Sequence, residues 1–208
     1  ADSTVKLWDI IRGKCLKTLA FHHEGTLHEG ILSVKFSPDG LMLASSASDN
    51  TVRLWHVASG RCLKTLVQED YIREVAFSPD NLTLATGSAD YTVGLWDIAS
   101  GVCLKKISQD DSICAVAFSP NGRTLATGSA DYTVRLWDIA SGQCLHTLMQ
   151  HKSIILSVVF SRDGWVLASG SLDTTIKLWD VVSGDCLKTL AQHQPVLSIA
   201  FSFDDLTL

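Results

Sequence analysis

The sequence lacks the features of membrane, nucleic-acid-binding and disordered proteins. No apolar run approaches the roughly 20 residues of a membrane-spanning helix, and the first residues show no signal peptide. The 17 basic residues are scattered and outnumbered by 22 acidic ones, so the clustered positive charge that attracts nucleic acid or an anionic membrane is missing. Because only 19% of residues are charged and 46% are hydrophobic, a disordered chain is excluded.

A helical hydrophobic period is also missing, and a repeat of about 41 residues stands in its place. Five tryptophans, each in a Thr-(Val/Ile)-x-Leu-Trp frame, mark the repeat: Trp8, Trp55, Trp96, Trp137 and Trp179. Their spacings are 47, 41, 41 and 42 residues, and residues 84–93 are identical to residues 125–134. The chain is therefore built from copies of one structural unit.

One period contains four short β-rich runs. The run 113–118 ends at the turn sequence Ser-Pro-Asn-Gly, and the runs 123–129, 133–138 and 143–149 follow. A lone four-stranded sheet cannot bury both of its faces, so the sheets must stack on one another around an axis. We predict an all-β propeller of four-stranded antiparallel blades.

Five of the six cysteines recur once per repeat in the frame Gly-x-Cys-Leu. Equivalent positions on separate units do not come within the ~7 Å between Cα atoms that a disulfide requires. We interpret them as small buried hydrophobic residues in a reducing compartment. That compartment is the cytoplasm, with the nucleus as the alternative.

Over its whole length the chain resembles the WD40 family. The Trp-Asp pair typical of that family occurs at Trp8-Asp9, Trp96-Asp97, Trp137-Asp138 and Trp179-Asp180, whereas one repeat has Trp55-His56. The resemblance implies a single propeller region over 1–208. It also implies partial blades at 1–20 (third and fourth strands) and 193–208 (first strand and start of the second), and full blades at 28–67, 69–108, 110–149 and 151–191.

These strands amount to about five blades. The two terminal halves join into one shared blade only poorly, because the Ala-Thr-Gly-Ser stretch that would bridge them is missing. Since WD40 propellers typically have seven or eight blades, we favour a fragment of a larger propeller over a closed ring of five.

The family also has a hydrogen-bonded tetrad of Trp, Ser or Thr, turn Asp and His. The matching residues are His28, Ser45, Asp49, Trp55, Thr86, Asp90, Trp96, Thr127, Asp131, Trp137, His151, Ser169, Asp173 and Trp179, with His193 in the last partial blade. Two blades have Glu69 and Asp110 where the histidine is expected. A carboxylate cannot donate as an imidazole does and repels the turn aspartate. We therefore predict that these two tetrads are absent and that their blades are looser.

Candidate chemistry is sparse. His and Glu cluster only in the insertion around residues 21–29, where a zinc site competes with a long inter-blade loop, the interpretation that we adopt. The acidic pairs lie in turns, without a nucleophile and a base beside them. We predict no enzyme activity, no metal, no cofactor and no small-molecule substrate.

In WD40 proteins the partner surface is usually the top face, around the mouth of the channel. Carried over to this chain, the face comprises the residue before each turn Asp and the residues at the start of each first strand. Ala1 belongs to the first of these two sets. The predicted partner-binding residues are Leu32, Ser48, Tyr71, Arg73, Ala89, Cys114, Ala130, Leu156, Leu172 and Leu197. The competing interpretation is that the leucines merely pack at the channel mouth.

The resemblance implies a scaffold that binds other proteins or peptides, in one of two settings. The near-identical repeats are most similar to the sensor arrays of fungal NACHT or NB-ARC (STAND) vegetative-incompatibility proteins. The alternative is an architectural subunit or adaptor in a multi-protein complex, such as a transcription or ubiquitin-ligase complex.

Overall fold

The computed structural model describes residues 4–20 and 30–208, in which eighteen β-strands are joined by turns without a helix. A two-stranded sheet, the half-blade, comes first and four complete blades follow. The half-blade comprises β1 (Thr4–Asp9) and β2 (Lys14–Ala20). Blade 1 comprises β3 (Ile31–Phe36), β4 (Met42–Ala47), β5 (Thr51–His56) and β6 (Cys62–Val67). Blade 2 comprises β7 (Ile72–Phe77), β8 (Thr83–Ser88), β9 (Thr92–Asp97) and β10 (Cys103–Ser108). Blade 3 comprises β11 (Ile113–Phe118), β12 (Thr124–Ser129), β13 (Val134–Asp138) and β14 (Cys144–Leu148), and blade 4 comprises β15 (Ile155–Phe160), β16 (Val166–Ser171), β17 (Thr175–Asp180) and β18 (Cys186–Ala191).

Each complete blade is an antiparallel sheet in which the strands lie in chain order. The prediction of an all-β fold with four-stranded antiparallel blades is confirmed. Each of the four ranges predicted for full blades contains one such sheet.

The hydrophobic core lies between blades rather than inside them. Leu84 and Trp96 of blade 2 pack in one cluster with Val52, Leu54 and Leu66 of blade 1. The second strands are buried almost throughout, because a neighbouring blade covers each face. A sheet buried on both faces reads as a nearly continuous apolar or small-residue run rather than an alternating one.

The sheets circle an axis. Equivalent residues of successive first strands, Lys35, Ala76, Ala117 and Val159, line one cavity of about 400 Å³, together with Ser198 beyond the last blade. This arrangement requires the first strands to face a common centre. The propeller geometry predicted from the tryptophan spacing follows from it.

The segment after β18 departs from its prediction. Residues 192–208 contain no β-strand, although a first strand and the start of a second were expected. The turn of that hairpin is nevertheless formed: the Ser202 hydroxyl donates to Asp204 Oδ1 (2.6 Å), as Ser78 does to Asp80 in blade 2 (2.5 Å). Among the described residues no second strand lies beside this segment, so its backbone has no ladder to join.

The predicted burial of the repeated cysteines is wrong. All six cysteines are free thiols; Cys62 and Cys144 are exposed and the others are half-buried. The five repeated cysteines lie on or beside the fourth strand, which is the outermost strand of its blade and has no neighbour on one edge. Beside each of these tryptophans the pairing of the third and fourth strands shifts by one residue. In blade 1, Trp55 pairs with Cys62 and Leu54 pairs with Lys64, so Leu63 has no partner on the third strand.

Three second strands carry a glycine where the next blade approaches closely. A Cβ on Gly128 would lie 2.6 Å from Ile155 Cγ2 of blade 4, and similar contacts face Gly87 and Gly170. Blade 1 has Ser46 at this position, and its hydroxyl is buried without a hydrogen-bond partner. The glycine therefore sets how closely two blades stack.

We expect Gly128→Ala to lower the free energy of unfolding by roughly 1–3 kcal/mol, because the added methyl group overpacks the junction between blades 3 and 4. Urea denaturation measures the effect. The matched control is Ser46→Ala, which removes an unpartnered hydroxyl from the equivalent position and should leave stability unchanged or higher. Equal stability of Gly128→Ala and the wild-type protein would contradict the close contact.

Candidate interaction surface

The first strand of every complete blade carries a β-bulge near its start. In blade 2, Ile72 pairs with Ser88 and Glu74 pairs with Gly87, so Arg73 is the extra residue. The same register shift makes the extra residues of the other blades Leu32, Cys114 and Leu156. A bulge re-aims the side chain of its extra residue, and Arg73 is exposed although the adjacent Ile72 is fully buried. Four of the predicted partner-binding residues thus occupy the same bulge position in their blades.

Backbone hydrogen bonds bring the turn residues beside these bulges. The residue before each turn aspartate donates its N–H to the residue that precedes the first strand of the same blade. The four bonds are Ser48 to Gly30 (3.1 Å), Ala89 to Tyr71 (2.9 Å), Ala130 to Ser112 (2.9 Å) and Leu172 to Ile154 (3.0 Å). The two sets predicted from the repeat therefore meet at one end of the channel. Ala1 lies outside the described residues.

We call the ten predicted residues, Leu32, Ser48, Tyr71, Arg73, Ala89, Cys114, Ala130, Leu156, Leu172 and Leu197, the ring. Its most exposed apolar members are Leu197 (68% exposed), Leu32 (46%) and Tyr71 (45%). Leu156 and Leu197 also line the central cavity. The ring is therefore an apolar surface at the mouth of the channel.

Arg73 brings a positive charge to this apolar surface. Its Nε donates to the Ser112 hydroxyl of the next blade over 3.1 Å. Half-burial raises the pKa of the neighbouring Cys114 thiol, and the charge of Arg73 only partly opposes the effect. Cys114 is consequently a neutral thiol at physiological pH and acts as a small apolar member of the ring.

Two exposed tyrosines flank the ring in the turns after the second strands. Tyr91 and Tyr132 adopt left-handed backbone conformations, with φ of 68° and 70°, at a position where blade 1 has Asn50. Such a conformation costs a bulky residue of order 1 kcal/mol or more. The repeat thus keeps large aromatic side chains at this rim despite a backbone penalty.

The tetrad behind the ring is complete in blade 4. Trp179 Nε1 donates to Ser169 Oγ (2.8 Å), and His151 lies between Ser169 (2.7 Å) and Asp173 Oδ2 (2.8 Å). Burial lowers the pKa of His151, and its hydrogen bond to Asp173 offsets this only in part. Burial alone would raise the pKa of Asp173, but hydrogen bonds from Thr175, the Lys152 N–H and His151 hold it well below its usual range. A neutral imidazole therefore joins the hydroxyl to an ionised carboxylate.

The prediction that two blades lack this network is wrong. Gln68, not Glu69, takes the histidine position of blade 2: its amide oxygen accepts from Thr86, whose hydroxyl accepts from Trp96 Nε1 (2.9 Å). In blade 3, Gln109 bonds the hydroxyl of Thr127, which also accepts from Trp137 Nε1 (3.0 Å). A neutral amide donates and accepts as an imidazole does, so it replaces the ring without adding charge.

The glutamine network differs from that of histidine at the turn aspartate. Gln68 Nε2 donates to Thr92, whose hydroxyl donates to Asp90 Oδ1, while Asp90 Oδ2 is buried without a hydrogen-bond partner. In blade 4 the corresponding oxygen of Asp173 is bonded to His151 and to the Lys152 N–H. The direct link to the aspartate is therefore lost, whereas the link to tryptophan is kept.

The sequence contains the signal for these glutamines. Gln68, Gln109 and His151 each stand 18 residues before the hydroxyl residue that they contact. The spacing from the preceding tryptophan is less regular, because one extra residue separates Trp137 from His151.

Blade 1 is described only in part. Trp55 Nε1 donates to Ser45 Oγ (2.8 Å), and Asp49 Oδ1 accepts from the Thr51 N–H (3.0 Å). The predicted His28, and the insertion around residues 21–29 that was weighed as a metal site, lie outside the described residues. His193 is exposed and bonds none of the residues that the structure describes.

Within the described ranges, no group of three or more His, Cys, Asp or Glu side chains is placed to hold a metal ion. None of the elements described is a helix long and apolar enough to cross a membrane.

The fold defines a propeller built from tryptophan-centred repeats, and the bulge and turn residues of the ring lie at one end of its channel. The family model "WD domain, G-beta repeat" matches residues 13–56, 60–97, 101–138 and 142–180. The chain belongs to the WD40 family. Membership implies a protein–protein interaction scaffold, and scaffolds of this family are generally non-catalytic.

One relative is the mouse F-box-like/WD repeat-containing protein TBL1X, which is 54% identical over 39 residues. That stretch is 19% of this chain and 6% of the relative, so the likeness spans about one repeat.

We expect His151→Gln to flatten the pH dependence of stability. The pKa of His151 is lowered in the folded protein, so its contribution to stability is fully present above the ordinary histidine pKa of about 6.5 and is lost as the pH falls towards the folded value. Urea denaturation between about pH 7 and pH 5 should therefore show a smaller loss for the variant. His193→Gln, at an exposed histidine, is the control and should follow the wild-type curve. Parallel curves for all three proteins would contradict the buried neutral imidazole.

Proposed function

We propose that this chain is a non-catalytic recognition module whose ring binds a segment of another protein. The observation that carries the proposal is the bulge at the start of each first strand, which directs one side chain per blade to the channel mouth. The strand ladders hold these positions, so little ordering entropy is lost when a partner binds.

The composition of the ring supports this proposal. Leu32 and Leu197 provide exposed apolar surface, and such surface at a channel mouth is typical of contact sites. Tyr71 and Arg73 belong to the residue types enriched among the side chains that dominate binding energy. Nucleic acid, membrane and small-molecule substrates are not part of the proposal, and the free cysteines support a cytoplasmic or nuclear location.

An adaptor or architectural subunit is the first of two settings that we consider. It is supported by the likeness of one repeat to the F-box-like/WD repeat-containing protein TBL1X, whose name joins WD repeats to an F-box-like element.

The sensor array of a STAND-type signalling protein is the second setting. The identity of residues 84–93 and 125–134 favours it, because arrays that recombine tend to keep their repeats alike. A nucleotide-binding module in the same gene product would decide for the sensor, and co-purification of a stable multi-subunit complex would decide for the adaptor.

We expect the double variant Tyr71→Ala/Leu197→Ser to capture its cellular partner at least roughly tenfold less well, because it removes the exposed aromatic side chain of the ring and its most exposed leucine. Quantitative crosslinking and mass spectrometry of the tagged protein measures the capture. Trp165→Ala is the control; this exposed tryptophan lies in the turn between the first and second strands of blade 4, at the opposite end. If only the control lost capture, the contact surface would lie at the opposite end and the proposal would be wrong. Thermal unfolding should place all three proteins at similar midpoints.

A further inference from the structure

Arg73 differs in its charge environment from the other arginines that reach this end of the propeller. Arg135 lies 3.2 Å from Asp131, and Arg53 lies 3.7 Å from Asp49. Arg73 makes no ion pair with any residue that the structure describes, and its only hydrogen bond is the one from Nε to Ser112. An unpaired guanidinium is thus held in an apolar ring.

The carboxylates before the first strands of blades 2 and 3 each accept a backbone hydrogen bond and make no ion pair with Arg73 in the part of the chain that the structure describes. Asp70 accepts the Tyr71 N–H (2.7 Å) and Asp111 accepts the Ser112 N–H (2.6 Å), so both brace the loops before their first strands. The terminal nitrogens of Arg73 therefore keep their donors for another group. Two such donors on one edge of a guanidinium match the two oxygens of a carboxylate.

We propose that Arg73 binds a single carboxylate side chain, Asp or Glu, in an extended apolar segment of the partner protein. The proposal rests on the proposed function and adds the chemistry of the partner. The bulge at Arg73 and the bond to Ser112 orient the guanidinium before binding, which lowers the entropic cost of the ion pair. Residues on either side of the carboxylate contact Tyr71 and Leu32.

The charges around the ring limit the partner to one acidic residue. Asp70 and Asp111 repel a run of carboxylates, whereas Arg73 compensates one. A basic segment fits less well, because its positive charge would lie against the unpaired guanidinium of Arg73, and the acidic loop residues Glu69 and Asp110 already pair with Lys106 and Arg135.

The test begins with selection from a library of random 12-residue peptides displayed on phage, with the 208-residue chain as bait. We expect selected peptides to carry one Asp or Glu between apolar residues. Fluorescence polarisation with the synthetic peptides should give roughly ten- to hundredfold weaker binding to Arg73→Glu. Arg73→Lys should bind with intermediate affinity, because an ammonium does not make the two parallel bonds.

The peptide provides the reciprocal variant. Replacement of its acidic residue by Gln or Asn should weaken binding to the wild-type chain as much as Arg73→Glu does, and should add little in the Arg73→Glu background. A phosphoserine in place of the acidic residue tests whether the site prefers a phosphate; tighter binding of that peptide would overturn the assignment to a carboxylate.

Arg61→Glu is the matched control. This exposed arginine lies in the turn between β5 and β6, at the opposite end of the propeller, and the substitution changes the net charge by the same amount. We expect its affinity for the selected peptides to be that of the wild-type chain within about twofold. An equal loss in Arg61→Glu would mean a general charge effect and would overturn the proposal.

The remaining outcomes separate the two proposals. Selected peptides that are basic or uncharged, yet are lost with Tyr71→Ala/Leu197→Ser, would overturn the role of Arg73 and leave the ring as the binding surface. Peptides unaffected by every ring variant, or a selection without binders, would count against both.

Discussion

The structure depends on the burial of one blade against the next. Trp96 of blade 2 packs with Val52 and Leu54 of blade 1, and Trp179 of blade 4 packs with Val134 and Leu136 of blade 3. Each core is therefore shared, and no sheet buries its apolar surface alone. Close approach is part of the same constraint, because three of the four second strands carry a glycine where the next segment around the axis leaves no room for a Cβ atom.

This mutual burial separates the residues that hold the fold from those that are free to vary. In the first strands, Ile, Val and Phe recur at the first, fourth and sixth positions of every complete blade, whereas the bulge residues are of three types, with Leu32, Arg73, Cys114 and Leu156. A bulge residue leaves the ladder, so its side chain contributes little to packing. The ring is consequently a surface in which residue type can change without cost to the blades.

The hydrogen-bond network shows how far the repeat tolerates change in its interior. In blade 4, His151 bonds the buried hydroxyl of Ser169. In blade 2, Gln68 takes its place and bonds Thr86, whose hydroxyl in turn accepts from Trp96. The amide gives no hydrogen bond to the second carboxylate oxygen of the turn aspartate. The invariant requirement is a neutral group that bonds the buried hydroxyl, since an unpartnered buried hydroxyl would be costly.

The repeat by itself determined the strands, their order, the four-stranded blades and the positions at the channel mouth, because these follow from local pattern and from the period of the tryptophans. Only the tertiary structure decided the rest. The bulges arise from pairing between strands, and the exposure of Cys62 follows from its place on the outermost strand. The segment 192–208 forms no strand, because no neighbouring strand of the described residues pairs with it. The role of Gln68 likewise follows from its hydrogen bond with Thr86 in the folded blade, and its distance from the preceding tryptophan differs by one residue from that of His151. Burial and strand register depend on neighbouring strands and blades, so the sequence of a single repeat does not determine them.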